Sequence, residues 1–293
     1  MIAYRRKSEM NNKSLKNVEK FWDKKLFGGH FIKAPYLSET FFEEYRQFRF
    51  QKEHHLNWLI DWQSAKGKDI LEIGLGIGTD ATRWAKYSKS FTGIDLTHEA
   101  ARVTKLHLRY LGYNGQILKA NAEELPFSNG RFDIVYSHGV LHHTPSIEKA
   151  FRQVHRVLKS NGLFILMLYT KDSFNYWIRI QFYFRLRFLF EMYRLRKGFE
   201  ISEPWISHLI NYHKTGWQYF SWNVWPHHCT DGPDCEIANI YHKSEIVQLL
   251  KDSGFMIKKM RKAHFPTNFL SQKIESILAK YVGFFMFVSA VKN

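Results

Sequence analysis

Asp69-Ile70-Leu71-Glu72-Ile73-Gly74-Leu75-Gly76-Ile77-Gly78-Thr79-Asp80 is the stretch whose reading decides the fold. A short apolar run that closes on an acid and passes into three glycines at alternate positions reads as a buried parallel strand turning into a helix. Glycine has no Cβ, so it takes positive φ without strain and lets backbone N–H groups come close to a ligand. Open α/β sheets build nucleotide sites at a strand's carboxyl end in this way. The loop alone leaves two cofactor classes open, because Gly76-Ile77-Gly78-Thr79-Asp80-Ala81 also fits the dinucleotide pattern G-x-G-x-x-A. The residues downstream have to decide.

Beyond that turn, strand-like and helix-like segments alternate. Thr79 or Asp80 can cap a first helix that carries Ala81, Trp84 and Ala85 on one face. Phe91 to Asp95 reads as a second strand, Thr97 as the cap of a helix to about Leu111, Gly115 to Ala120 as a third strand and Phe132 to Ser137 as a fourth. Thr144-Pro145 opens a helix that closes at Ser160-Asn161-Gly162, before a fifth strand from Leu163 to Tyr169. Five strands with helix-length spacers predict a doubly wound parallel sheet.

Upstream, residues 1–66 are charged and aromatic, with helical spacing in Val18, Phe21 and Trp22 and again in Phe48, Leu56, Leu59 and Ile60, and a break at Gly28-Gly29. They predict a helical N-terminal cap. After Thr170 the alternation stops, and residues 171–236 form an insertion with five of the nine tryptophans. The α/β pattern resumes over 237–293, with a helix from about Ser244 to Leu250, a strand from Phe255 to Lys259, an amphipathic segment from near Phe269 to Tyr281 and a last strand from Phe284 to Val291. The division is therefore a cap (1–66), a core (67–170 and 237–293) and an aromatic lid (171–236).

With 293 residues, 45% of them hydrophobic, the chain can bury one large core or two small ones. No apolar run reaches the ~18 residues that cross a bilayer, and Met1 to Lys7 has no apolar segment behind its charges, so a soluble, cytosolic protein is expected. Cys229 and Cys235 are too few for a disulfide scaffold and suit a reducing compartment. The net charge of +16 fits nucleic acid or an anionic membrane surface as partner, and equally a generally basic enzyme. Phe174 to Lys197 mixes Phe182, Leu186 and Phe190 with Arg179, Arg187 and Arg194. An apolar arc beside a basic arc suits either peripheral membrane contact or a lid helix packed on the sheet. His227-His228-Cys229, Asp231 and Cys235 contain neither C-x-x-C nor a paired H-x-x-x-H, so no metal is expected there.

Asp95 closes the second strand about 20 residues after the first glycine, where a carboxylate can accept from both ribose hydroxyls or, more plainly, cap a helix. Glu72 to Gly78, Asp95, Asn121-Ala122-Glu123-Glu124-Leu125-Pro126-Phe127, Phe132 to Ser137 and Val140-Leu141-His142-His143 together resemble the class I S-adenosylmethionine-dependent methyltransferases. The nearest group is the ubiquinone/menaquinone-biosynthesis-like small-molecule enzymes. The likeness is strong over 67–170 and weaker in the tail. It implies a Rossmann-like seven-stranded sheet whose last strand is antiparallel and lies between strands five and six, with S-adenosyl-L-methionine as cofactor.

The resemblance further implies that Glu72, Gly74, Gly76 and Gly78 belong to the cofactor turn, the backbone of Gly74 and Gly76 facing the methionine part. Asp95 would hold the ribose diol, Leu96 would pack on the adenine, and Asn121 and the Ala122 amide would read its edge. The backbone near Ser137 and His138 would meet the amino group. The family usually has Asp where Asn121 stands, and an amide oxygen can still accept from the adenine amino group, so modestly weaker binding is expected.

Methyl transfer from a sulfonium needs alignment in a dry site more than covalent help. An oxygen acceptor also needs a base, and His138, His142 and His143 are the candidates. The loop after the fourth strand has neither an Asn/Asp-Pro-Pro-aromatic sequence nor a cysteine, which argues against amide, adenine-amino or cytosine-C5 acceptors. The expected protein is thus a methyltransferase acting on a small or lipid-like molecule, by O- or C-methylation. The alternatives are an RNA or protein methyltransferase and a membrane-associated protein that binds the cofactor without turnover.

Overall fold

The computed structural model describes residues 14–24, 29–265 and 271–293; Met1 to Lys7, Gly28 and Phe269 lie outside the described residues. Helix α1 covers 14–24, followed by α2 (Glu39–Lys52) and α3 (Leu56–Leu59). The alternating core runs β1 (Asp69–Ile73), α4 (Thr79–Tyr87), β2 (Ser90–Asp95), α5 (His98–Tyr110), β3 (Gln116–Lys119), β4 (Phe132–His138), α6 (Ile147–Val157) and β5 (Leu158–Thr170). The insertion carries a π-helical segment (Asn175–Tyr183) continuous with α7 (Phe184–Arg196), then α8 (Trp205–Thr215) and α9 (His227–Thr230). β6 (Ile240–Tyr241), α10 (Lys243–Asp252), β7 (Phe255–Ala263), α11 (Gln272–Val282) and β8 (Phe285–Lys292) complete the chain.

The sheet order is β3-β2-β1-β4-β5-β8-β7, with β6 pairing on β5. β1 to β5 are mutually parallel, and β8 is antiparallel between β5 and β7, as the resemblance implied. Among the described residues there are eight strands rather than seven. The extra one is the two-residue β6, which extends the end of β5 through Tyr169 and Thr170.

Side chains alternate across the strands and both faces are covered, so β1, β4 and β5 are apolar on both sides. Ile70, Tyr136 and Met167 enter a core with Trp84 of α4 and Phe188 of α7. Leu71, Val135 and Leu166 enter the opposite core with Phe151 of α6 and Leu250 of α10. The insertion has no core separate from the sheet: Phe188, Tyr219 and Trp225 belong to the first of these clusters. Phe41, Phe42 and Tyr45 of α2 pack with Ile77 and Val103, which seats the N-terminal cap on the glycine turn and α5.

Three boundaries differ from the sequence reading. The first helix is capped by Gly78 at φ 79°, not by Thr79 or Asp80. Ser146 rather than Thr144 caps α6, its hydroxyl accepting from Lys149 N. α6 stops at Val157, and the Ser160-Asn161-Gly162 stretch lies inside β5 with Asn161 in the left-handed region that asparagine tolerates. Among the described residues, no helix is long and apolar enough to cross a membrane.

Candidate active site

A cleft of about 1280 Å³, part of it open to solvent, lies at the carboxyl ends of β1, β2 and β4. In this strand order the chain switches direction at β1, the point where open α/β sheets bind ligands. Leu15, Val18 and Trp22 of α1 line it from above.

The turn after β1 forms one wall. A Cβ on Gly74 would stand 2.0 Å from Val140 Cγ2, so the loop after β4 rests on this position and only glycine fits. Gly76 lines the cleft at φ 54°, and nothing lies within 4 Å of where its Cβ would be. Behind the turn, the imidazole of His107 is held neutral, burial pushing its pKa down to about 4, and its Nδ1 is 2.8 Å from the Ile77 carbonyl.

Asp95 is the clamp of this turn. Its Oδ2 accepts from Leu75 N at 2.8 Å and Gly76 N at 3.4 Å. Its Oδ1 accepts from the N–H and hydroxyl of Thr97, each at 2.9 Å. Burial pushes the carboxyl upward, against those four donors. Leu96, Asn121 and Ala122 continue the wall, with the Asn121 side-chain oxygen accepting from Glu123 N at 2.9 Å.

The opposite wall carries a buried ionic cluster. Arg49 of α2 donates to Glu53 Oε1 at 2.7 Å and to Asp80 Oδ2 at 2.9 Å. Tyr136 donates its hydroxyl to the same Asp80 oxygen at 2.8 Å. His138, at the end of β4, has Nε2 3.2 Å from Glu53 Oε2 and Nδ1 3.5 Å from Asp80 Oδ2. Burial alone would keep this imidazole neutral, but the Glu53 carboxylate outweighs it with help from Asp80, and the net direction is upward. One guanidinium faces two carboxylates, so a neutral His138 leaves one negative charge unbalanced.

Residues 71–166 match a family model described as a methyltransferase domain. An uncharacterized methyltransferase of Bacillus subtilis is 35% identical over 99 residues, 33% of this chain and 39% of that protein. A ubiquinone biosynthesis O-methyltransferase of Pseudomonas aeruginosa is 29% identical over 140 residues, 45% of this chain and 59% of that protein. The match therefore spans less than two thirds of either relative. In fold, the chain superposes on an S-adenosylmethionine-dependent methyltransferase of Aquifex aeolicus with TM-score 0.52 and 13% identity, over 86% of this chain and 97% of that one. The matched segment contains the glycine turn, Asp95 and His138, the residues that build the cleft. Residues 71–166 match a methyltransferase domain, and the fold around them is shared with an S-adenosylmethionine-dependent methyltransferase.

The cleft of the methyltransferase domain fits that cofactor. Glu72 is buried, lines the cleft and has an Oε2 with no hydrogen-bond partner. Burial, reinforced by Asp80, holds its carboxyl well above the usual carboxylate range, a penalty that a cationic amino group beside it would relieve.

The candidates drawn from the sequence divide. Glu72, Gly74, Gly76, Asp95, Leu96, Asn121, Ala122, His138 and His143 line the cleft. Gly78, Ser137 and His142 are not among its lining residues. Gly78 instead lets α4 approach α5, since a Cβ there would be 2.8 Å from Thr104 Oγ1. The Ser137 hydroxyl is spent inside the sheet on the Ile73 carbonyl at 3.1 Å. His142 is fully buried with its ring centroid 4.1 Å from that of Tyr169. The sequence reading missed Arg49, Glu53 and Asp80. Arg49 and Glu53 stand four residues apart, a spacing that puts both on one helical face, but nothing local says that this face meets the end of β4.

Proposed function

We propose that the protein transfers a methyl group from S-adenosylmethionine to an oxygen or carbon of a small, ring-bearing or lipid-like acceptor, in the cytosol. The observation that carries this reading is that the glycine turn with Asp95 and the His138 cluster face one cleft. When bound, the cofactor supplies a methyl group already activated on a sulfonium. The chain's part is to orient, to exclude water and to move one proton. Tyr169, Phe285 and Met167 offer an apolar wall for an acceptor ring, and Trp22 of the cap closes over it. On an oxygen acceptor, His138 takes the proton while Glu53 and Asp80 stabilise the imidazolium that forms. Residues 1–66 and 171–236 act as cap and lid around the acceptor. The relative named for ubiquinone biosynthesis supports the ring-bearing class.

Release of S-adenosylhomocysteine over a panel of phenolic, lipid and RNA acceptors tests this. Turnover with a phenolic or lipid acceptor is expected. Turnover with RNA alone would move the protein to the nucleic-acid class, and cofactor binding without turnover on any acceptor would leave the non-catalytic reading.

The surface of the insertion favours an added partner, an anionic bilayer. Leu186 is 66% exposed, Phe182 58%, Phe190 50% and Trp217 77%, beside the exposed Arg179, Arg196 and Lys197. Apolar anchors interleaved with cations fit the headgroup boundary of such a membrane. Co-sedimentation with phosphatidylglycerol-containing vesicles at low salt is expected, reduced by added salt and by Leu186→Glu with Phe190→Glu. Equal recovery in the supernatant with and without vesicles ends the membrane reading.

A further inference from the structure

Beneath the acceptor wall, three side chains converge that neither methyl transfer nor packing accounts for. His142 and His143 come from the 3₁₀ turn after β4, and Asp231 comes from the insertion immediately after α9. One ligand atom from each lies within 4.8 Å of the others. Both ring nitrogens of His142, Nε2 of His143 and Oδ2 of Asp231 are buried and have no hydrogen-bond partner. Unsatisfied buried polar atoms are rare singly. Three of them, one from each residue, converge at one point and need a common cause.

The hydrogen bonds behind them sharpen the requirement. His143 Nδ1 faces the Ile237 carbonyl, which can only accept, so the proton sits on Nδ1 and the Nε2 lone pair points outward. It points at Asp231 Oδ2, 3.6 Å away, which is also an acceptor. Asp231 is held in this orientation by the Tyr169 hydroxyl, which donates to Oδ1 at 3.1 Å. Two lone pairs aimed at each other in a buried space repel unless a positive charge lies between them, and at 3.6 Å the gap is too long for a proton shared in a hydrogen bond. Metal-ligating histidines are set up in this way, with the other ring N–H given to a carbonyl and the ligating carboxylate itself hydrogen-bonded.

We propose that His142, His143 and Asp231 bind one divalent transition-metal ion. Two imidazoles and a carboxylate select the zinc, iron and nickel group over magnesium or calcium. A spread of up to 4.8 Å is wider than two ligands at about 2.0–2.1 Å from one ion allow, so the ligand atoms draw inward on binding. Three protein ligands leave positions open, and His143 and Asp231 line the cleft, so an open position faces the acceptor. If the methyl-transfer reading holds, the acceptor class narrows to molecules that present an oxygen to the ion, whose bound hydroxyl loses its proton more readily. The binding itself does not depend on that reading. His227 and His228 are not part of the set, since His227 Nδ1 accepts from Ala238 N at 3.0 Å and His228 Nδ1 lies 2.6 Å from the Pro233 carbonyl.

The test uses the full chain without an affinity tag and zinc chloride as probe, followed by calorimetry. One equivalent is expected to bind. Affinity should fall by more than about 100-fold in His143→Ala and in Asp231→Asn, beyond the roughly 10–100-fold that loss of a supporting contact costs, and stay at the parent's value in His228→Ala. X-ray absorption on the parent's zinc complex guards against variants that fail to fold, with nitrogen and oxygen neighbours expected. No binding to the parent, unchanged affinity in both ligand variants, or a shell containing sulfur from Cys229 or Cys235 would each overturn the assignment. Because none of these readouts involves methyl transfer, a metal-free result with normal turnover removes the ion and keeps the enzyme.

Discussion

His138→Ala is expected to lower turnover on an oxygen acceptor by about 10²–10⁴-fold, the usual contribution of a positioned general base, while affinity for S-adenosylmethionine stays close to the parent's. The split follows from geometry. The cofactor turn is held by Asp95, and His138 reaches the cleft from the other wall, between Glu53 and Asp80. His142→Ala should not reproduce the kinetic pattern of a lost base, because His142 is fully buried and is not among the residues lining the cleft. Unchanged turnover in His138→Ala at saturating acceptor would remove it as the base.

The charges around His138 also fix the sign of the pH dependence. Facing it are Arg49 of α2, Glu53 just past the end of that helix, Asp80 from α4 and Tyr136 from its own strand, with His55 further off across Glu53. The net effect is a raised pKa. A base works only when neutral, so the rising limb of kcat/KM should lie above the value of an ordinary histidine, about 6.5. Glu53→Gln removes the largest raising influence and keeps the shape. The limb should then move to lower pH. A limb that stays in place would mean that the titrating group is not His138. The unbalanced negative charge of the cluster with neutral His138 has a further consequence: a cation in the cleft compensates it, so a bound sulfonium favours the imidazole form that the base step needs.

The parts of the site that were legible in the sequence are those encoded by short spacing. Glu72 to Gly78 could be read because alternate glycines after an apolar run have few structural meanings, and Asp95 because it closes the next strand. The antiparallel last strand came from the family likeness and stands at β8. What stayed hidden was made by contacts between distant segments. Arg49 and Glu53 look like a solvated pair on a helix face until α2 packs on the glycine turn through Phe41, Phe42 and Tyr45. Asp80 reads as a capping acid, yet a left-handed glycine already caps α4, which frees the carboxylate to turn inward to Arg49 and Tyr136. The histidines at 142 and 143 are adjacent in sequence, and only the 3₁₀ turn decides that one lines the cleft and the other lies beneath it. Asp231 meets them only because the insertion folds back over β5.

Asp95→Ala should weaken binding of both S-adenosylmethionine and S-adenosylhomocysteine by about 100-fold or more. A hydrogen bond to a charged group contributes roughly 1.5–3 kcal/mol, and losing two from a ribose diol amounts to at least about 3 kcal/mol, or two decades in affinity. The same carboxylate accepts from Leu75, Gly76 and Thr97, so the variant also loosens the turn before any ligand arrives. Thermal unfolding without ligand reports that second loss, and calorimetry with each ligand reports both. Asp95→Asn separates them. It keeps one acceptor oxygen but turns an NH₂ toward either the Leu75 and Gly76 amides or the Thr97 donors, so it should melt below the parent and bind between the parent and the alanine variant. Donor and product must weaken together, because they share the sugar and differ only at sulfur. Parent-like affinity for both in Asp95→Ala would mean that the carboxylate is only the clamp of the turn, and that the sugar is held elsewhere.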